Sequence, residues 1–123
     1  MSAAVDILRA QSTRVESRLE AELREVAART ARRMQGGAQL RVRVRSRKTH
    51  DAIKVREERE KRRYLVEVED VPGRNPMVPV WLEYGTSKMS AHPFMGPAAD
   101  AERATYAAEG EAACARVLNE ESR

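Results

Sequence analysis

Tyr64-Leu65-Val66-Glu67-Val68-Glu69 reads as the clearest strand of the chain, with apolar and charged residues alternating from Val66 to Glu69. That period of two belongs to a half-buried strand. It makes the chain α+β and not wholly helical. Upstream, Glu57-Glu58-Arg59-Glu60-Lys61-Arg62-Arg63 is a charge run that suits a hairpin tip. Before it, Ala52-Ile53-Lys54-Val55-Arg56-Glu57 alternates again, more weakly. Residues 48–51 are polar and read as a turn. Leu40, Val42 and Val44 interleave with Arg41, Arg43, Arg45 and Arg47. The expectation there is a strand over 39–47 with one apolar face and one all-Arg face.

Farther out the period changes. Val5, Leu8, Val15, Leu19, Leu23, Val26, Thr30 and Met34 recur at spacings of three and four. They predict a helix over 4–34 with one apolar stripe, stopped by Gly36-Gly37. Such a stripe must pack on a sheet, a second helix or another subunit. Downstream, Pro72-Gly73 and Asn75-Pro76 mark a loop. Pro79 to Gly85 reads as a short helical turn, and residues 86–93 as a loop. Pro93 and Pro97 bracket the start of a last helix running to about residue 119. Its expected inner face is Phe94, Ala98, Ala101, Thr105, Ala108, Ala112, Ala115 and Leu118. The expected architecture is therefore α+β. It has a long N-terminal helix, a mainly antiparallel sheet of three to four strands, a short helix and a C-terminal helix.

Composition bounds the function. The 123 residues make one domain, 1–123, with 41% hydrophobic, 4% aromatic and 34% charged residues. A mean hydropathy of -0.66 leaves room for only a modest core of Val, Leu, Ile, Met and Ala. No apolar run is long enough to span a membrane, and no secretory signal is visible at Met1-Ser2-Ala3-Ala4. A lone Cys114 forms no intrachain disulfide, and His50 and His92 lie far apart, so no metal site and no cofactor is expected. The expected setting is a reducing cytoplasm. The net charge is +4, but residues 41–63 hold eleven basic and four acidic side chains, while residues 98–123 hold three and six.

The chain carries no phosphate loop, zinc-protease, nucleophile-elbow or dinucleotide motif, and the expectation is that it is not an enzyme. Glu83 beside Tyr84 can be imagined as an acid–base pair, but a capping or interface carboxylate is the favoured reading. Arg41, Arg43, Arg45 and Arg47 would lie about 6.5–7 Å apart along a strand face, a spacing compatible with a phosphate backbone. No aromatic residues interleave them, so base stacking is not expected. The alternative is a face paired with Glu57, Glu67 and Glu69, or a protein interface.

The densest information lies at 80–99. Trp81, Glu83, Tyr84, Gly85, Thr86, Pro93, Phe94 and Pro97 gather most of the aromatic surface at one corner, with Phe94 expected to plug the core beside Trp81 and Tyr84. The pattern is a hydrophobic turn, Glu-aromatic-Gly-Thr, a short loop with Pro-Phe, then Pro-Ala opening a helix. It resembles the gene-product-ten-like tail-component family of long-tailed bacteriophages. These small tail-completion proteins are also carried by prophages and gene transfer agents. The matching positions are Glu83-Tyr84-Gly85-Thr86, Pro93-Phe94 and Pro97-Ala98. The chain departs from the family's usual residues at Met95-Gly96 and near His50-Asp51.

The resemblance implies a structural virion protein of the head–tail connector, or neck, assembled in the bacterial cytoplasm. It implies a homo-oligomeric ring, a hexamer, that contacts head-closure or adaptor proteins and tail-terminator or tail-tube proteins around the DNA channel. The Arg face would then make non-specific contact with packaged DNA. The alternatives are a tail terminator or minor tail subunit of the same virion, and a stand-alone basic nucleic-acid-binding protein.

Overall fold

A computed structural model describes residues 3–42, 47–73 and 75–122. The elements in order are α1 (Ala3–Arg41), α2 (Arg47–Ala52), β1 (Ile53–Glu58), β2 (Arg63–Val68), α3 (Val78–Tyr84) and α4 (Met95–Glu121). The architecture is α+β, as the period-two and period-four patterns indicate.

The frame is an antiparallel pair of long helices. α1 has 39 residues, about 58 Å at 1.5 Å per residue, and α4 has 27. Arg14 of α1 meets Glu121 of α4 at 2.8 Å. At the other end, a Cβ placed on Gly37 would sit 3.6 Å from the Ala98 Cβ. Equal lengths of the two helices separate these contacts, so the helices stay in register. Between them Arg18 holds Glu120 and Glu121, Arg116 holds Glu22, and Arg33 bridges Glu102 at 2.9 Å and Glu109 at 3.0 Å. Val26, Ala113 and Val117 are buried on these two helices.

This seam departs from the expected α4 face. Ala98 is buried, but Ala101, Thr105, Ala108, Ala112, Ala115 and Leu118 are exposed. The packed face carries half-buried Glu102 and Glu109, whose arginine partners neutralise them, and apolarity alone does not reveal it. On α1, Val26 is buried and Val15, Leu19, Thr30 and Met34 are half-buried, whereas Val5, Leu8 and Leu23 are exposed. α4 ends beside Arg14, so the first turns of α1 project past it.

The strand expected over 39–47 is corrected. Leu40 and Arg41 belong to α1, Val42 follows with its N–H on Ala38 O, and Arg47 opens α2. Arg43, Val44 and Arg45 lie outside the described residues. Helix α1 passes through Gly36-Gly37 because neither adopts the positive φ that ends a helix. The missing side chain at Gly37 instead lets α4 approach closely. Leu40 is 89% exposed at the end of α1, while Val42 joins the core.

The sheet among the described residues has two strands, not three to four. β1 and β2 pair antiparallel, with Ile53 opposite Val68, Val55 opposite Val66 and Glu57 opposite Tyr64. The charge run divides: Glu57 and Glu58 end β1, Arg63 starts β2, and residues 59–62 make the turn. Arg62 takes a positive φ of 53° and donates its N–H to Arg59 O at 3.1 Å. Arg63 to Glu58 and Arg56 to Glu67 tie the outer face of the hairpin. Its inner face meets α1, and Gln35 Nε2 of α1 donates to Ile53 O at 2.8 Å. Ala38, Val42, Ile53, Leu82, Phe94 and Ala98 form the core where both helices, the hairpin and α3 converge.

Candidate functional site

The corner between α3 and α4 is built around one carboxylate. Pro79 stands in the first turn of α3, where its missing N–H costs nothing. Asn75 Oδ1 accepts the Met77 N–H at 2.9 Å ahead of it. Gly85 ends α3 at φ 77° and ψ 177°, with its N–H on Trp81 O at 2.7 Å. A Cβ there would lie 2.8 Å from Ala91 N and 2.9 Å from Met89 O, so the position requires glycine. Thr86 and Met89 then pair back to back, with Thr86 N–H on Met89 O at 2.8 Å. Thr86 Oγ1 accepts the Lys88 N–H at 3.2 Å. The loop returns to α3 through His92, whose N–H donates to Leu82 O at 2.7 Å.

Glu83 closes the corner. Its Oε2 accepts the N–H groups of Phe94 at 2.8 Å and Met95 at 3.0 Å, and its Oε1 accepts that of Gly96 at 2.8 Å. A helix leaves its first N–H groups without internal partners. Here Glu83 takes three of them, and the next residue, Pro97, has no N–H. Gly96 leaves the carboxylate room, since a Cβ there would sit 3.1 Å from Oε1. Burial pushes the Glu83 carboxyl upward, but the three N–H bonds outweigh it and hold the group below its ordinary value. Glu83 is thus a capping carboxylate in this fold, with both oxygens engaged.

The aromatic residues divide here. Phe94 is buried in the core, but the expected plug of Trp81 and Tyr84 beside it is corrected. Leu82 is the buried residue of α3, while Tyr84 is 79% exposed and Trp81 lies at the surface. Met77, Val80, Trp81 and Tyr84, spaced as one helical face, are all exposed. Beside them a groove of about 490 Å³ opens between α3 and α4, lined by Met34, Val68, Pro79, Tyr84, Phe94 and Met95. Of the corner residues, Pro93 is exposed and Pro97 half-buried in the first turn of α4. Sequence reading places the corner but misses the groove, whose far wall comes from α1 and β2.

The basic positions do not gather into one strand face. Arg41 is exposed and turns its Nη1 onto Gly37 O at 3.0 Å. Arg47 lies 3.6 Å from Asp51, which also meets His50 Nδ1 at 2.8 Å. The His50 hydrogen bond, with Arg47 and Lys54 nearby, draws the Asp51 carboxyl below its usual value. Arg43 and Arg45 lie outside the described residues. Cys114 is half-buried beside Leu23, Val26 and Tyr106. Among the described residues no group of His, Cys, Asp and Glu could hold a metal ion, and no helix is long and apolar enough to cross a membrane.

Comparison of the chain with models of protein families, with curated proteins and with solved structures gives no match.

Proposed function

We propose that the chain is a structural virion protein of the head–tail neck. In this reading it is a ring-forming tail-completion subunit that joins head-closure and tail-terminator proteins around the DNA channel. The observation that carries the reading is the α3–α4 corner. Glu83 and Gly85, two residues of the family-like pattern, hold its backbone, and the apolar face of α3 points outward. A rigid corner that displays Trp81 and Tyr84 fits a surface made for a protein neighbour. The projecting first turns of α1, with Val5, Ile7 and Leu8 exposed, give a second such surface at the opposite end of the helix pair. Unlike surfaces at opposite ends suit head-to-tail contacts, which form a ring when the rotation between neighbours closes.

Deleting the gene from a virus or transfer agent that carries it tests the reading. Loss of a completion subunit leaves DNA-filled heads and separate tails. Fully joined, infectious particles without the protein would reject it. Joined particles with tails of uncontrolled length would favour a tail terminator instead.

A further inference from the structure

A sheet edge exposes backbone groups that need a partner or water. The Glu69 N–H donates to Ala52 O at 2.9 Å, making these two a hydrogen-bonded pair. Alternation along the ladder then makes Lys54–Glu67, Arg56–Leu65 and Glu58–Arg63 the other hydrogen-bonded pairs. The N–H and C=O groups of Tyr64, Val66 and Val68 therefore point away from β1. The two edges of the hairpin differ. On β1, Gln35 covers the Ile53 carbonyl. On β2, no backbone partner occurs on the outer side among the described residues. That side opens into a groove of about 440 Å³, lined by Ala27, Ala31, Met34, Tyr64, Val66 and Tyr106.

The two ends of the edge also carry opposite charge. Arg62 and Arg63 stand at its start, and Glu69 and Asp70 follow its end. The Arg62 side chain is 75% exposed and reaches Glu20 only at 3.7 Å. Asp70 is exposed and makes no ion pair among the described residues.

We propose that β2 pairs antiparallel with β2 of a second copy of this chain, about a two-fold axis at Val66. This register sets Val66 opposite Val66 and Tyr64 opposite Val68, so all three residues with outward backbone groups are satisfied. It also sets Arg62 opposite Asp70 and Arg63 opposite Glu69 at both ends of the seam. A slip of two residues loses part of the ladder and moves Arg62 away from Asp70. The product is a four-stranded antiparallel sheet in the order β1-β2-β2-β1, in place of a two-stranded ribbon that is marginal alone. The seam runs along β2 and borders the corner groove only at Val68 and Asp70. It uses neither Trp81 and Tyr84 of α3 nor the tip of α1, so it is argued separately from the neck reading.

Sedimentation equilibrium on the full chain across the micromolar range is the test. The expected species has twice the 13.9 kDa mass of one chain. Val66→Pro removes an N–H that faces away from β1, which leaves the hairpin ladder in place. It is expected to yield a monomer with unchanged far-ultraviolet circular dichroism. Asp70→Arg opposes arginines at both ends and raises the dimer dissociation constant several-fold. Adding Arg62→Asp to it restores the affinity. The charge-swapped pair decides alone if Val66→Pro unfolds. A monomer at all concentrations overturns the proposal, as does a swapped pair no tighter than Asp70→Arg. A six-fold assembly that survives Val66→Pro with its mass unchanged overturns the β2 contact and leaves the neck reading standing.

Discussion

The Glu83 carboxylate accepts the Phe94 N–H at 2.8 Å, across eleven residues of chain. This bond fixes where α4 starts relative to α3, and Phe94 enters the core directly beside it. Glu83→Ala therefore costs more than a solvent-exposed cap. The expected loss is about 2 kcal/mol, at the upper end for N-terminal caps, read by urea denaturation. A loss within error of zero would mean that water replaces the carboxylate freely.

The same bond sets a pH dependence. The Glu83 carboxyl titrates lower in the folded chain than unfolded, because its three N–H bonds outweigh its burial. Its contribution is complete above the ordinary glutamate value of about 4.3 and is lost as pH falls through the lower folded value. The stability difference between wild type and Glu83→Gln should thus be largest near neutral pH and shrink in acid. A difference that grows in acid would contradict the capping role.

Glycines separate the corner from the helices. Gly85→Ala places a Cβ 2.8 Å from Ala91 N at a φ of 77°, and should destabilise by about 1–3 kcal/mol or more. Gly110→Ala meets nothing within 4 Å in the middle of α4, and should stabilise by up to about 1 kcal/mol. Thermal melts of the two variants should move in opposite directions.

Arg33 of α1 is held between Glu102 and Glu109 of α4, so Arg33→Met leaves Glu102 without its cation at the seam and Glu109 with Arg29 at 3.6 Å. The variant should melt lower, and added salt should narrow its gap to wild type. The Arg33 hydrogen bond lowers the Glu109 carboxyl, so this contribution too is present at neutral pH and fades in acid.

Much of this fold follows from local pattern. Val66 and Val68 alternate with Glu67 and Glu69 because one face of β2 meets α1. Pro79 and Gly85 bracket α3 because each suits one end of a helix. The errors arise where packing overrides pattern. Gly36 and Gly37 look like a stop, but Gly37 is the site where Ala98 of α4 comes close. The α4 seam carries glutamates, which only the arginines of α1 make compatible with packing. Trp81 looks like a core residue, yet Leu82 occupies the inward position of α3. No periodicity within a seven-residue helix distinguishes these two neighbours. In the candidate site, the Glu-aromatic-Gly-Thr run places the corner, while the groove beside it needs Met34 and Val68 from distant elements.

The basic residues around the α1–α2 junction give a further test of the DNA-channel reading. Arg41→Gln with Arg47→Gln removes two exposed cations that bond Gly37 and Asp51 within their own helices. Assembly should proceed while DNA retention or ejection weakens. Failure to assemble would make this end a protein interface, and normal infectivity would remove the DNA contact.

The central claim is that this chain builds a ring at the neck, and a cryo-electron-microscopy reconstruction of intact particles with the chain tagged tests it most directly. The account predicts six-fold density between head and tail, with the α3 corner carrying Trp81 and Tyr84 buried against a neighbour. Particles that lack the chain, or corners left facing solvent in every subunit, would contradict it.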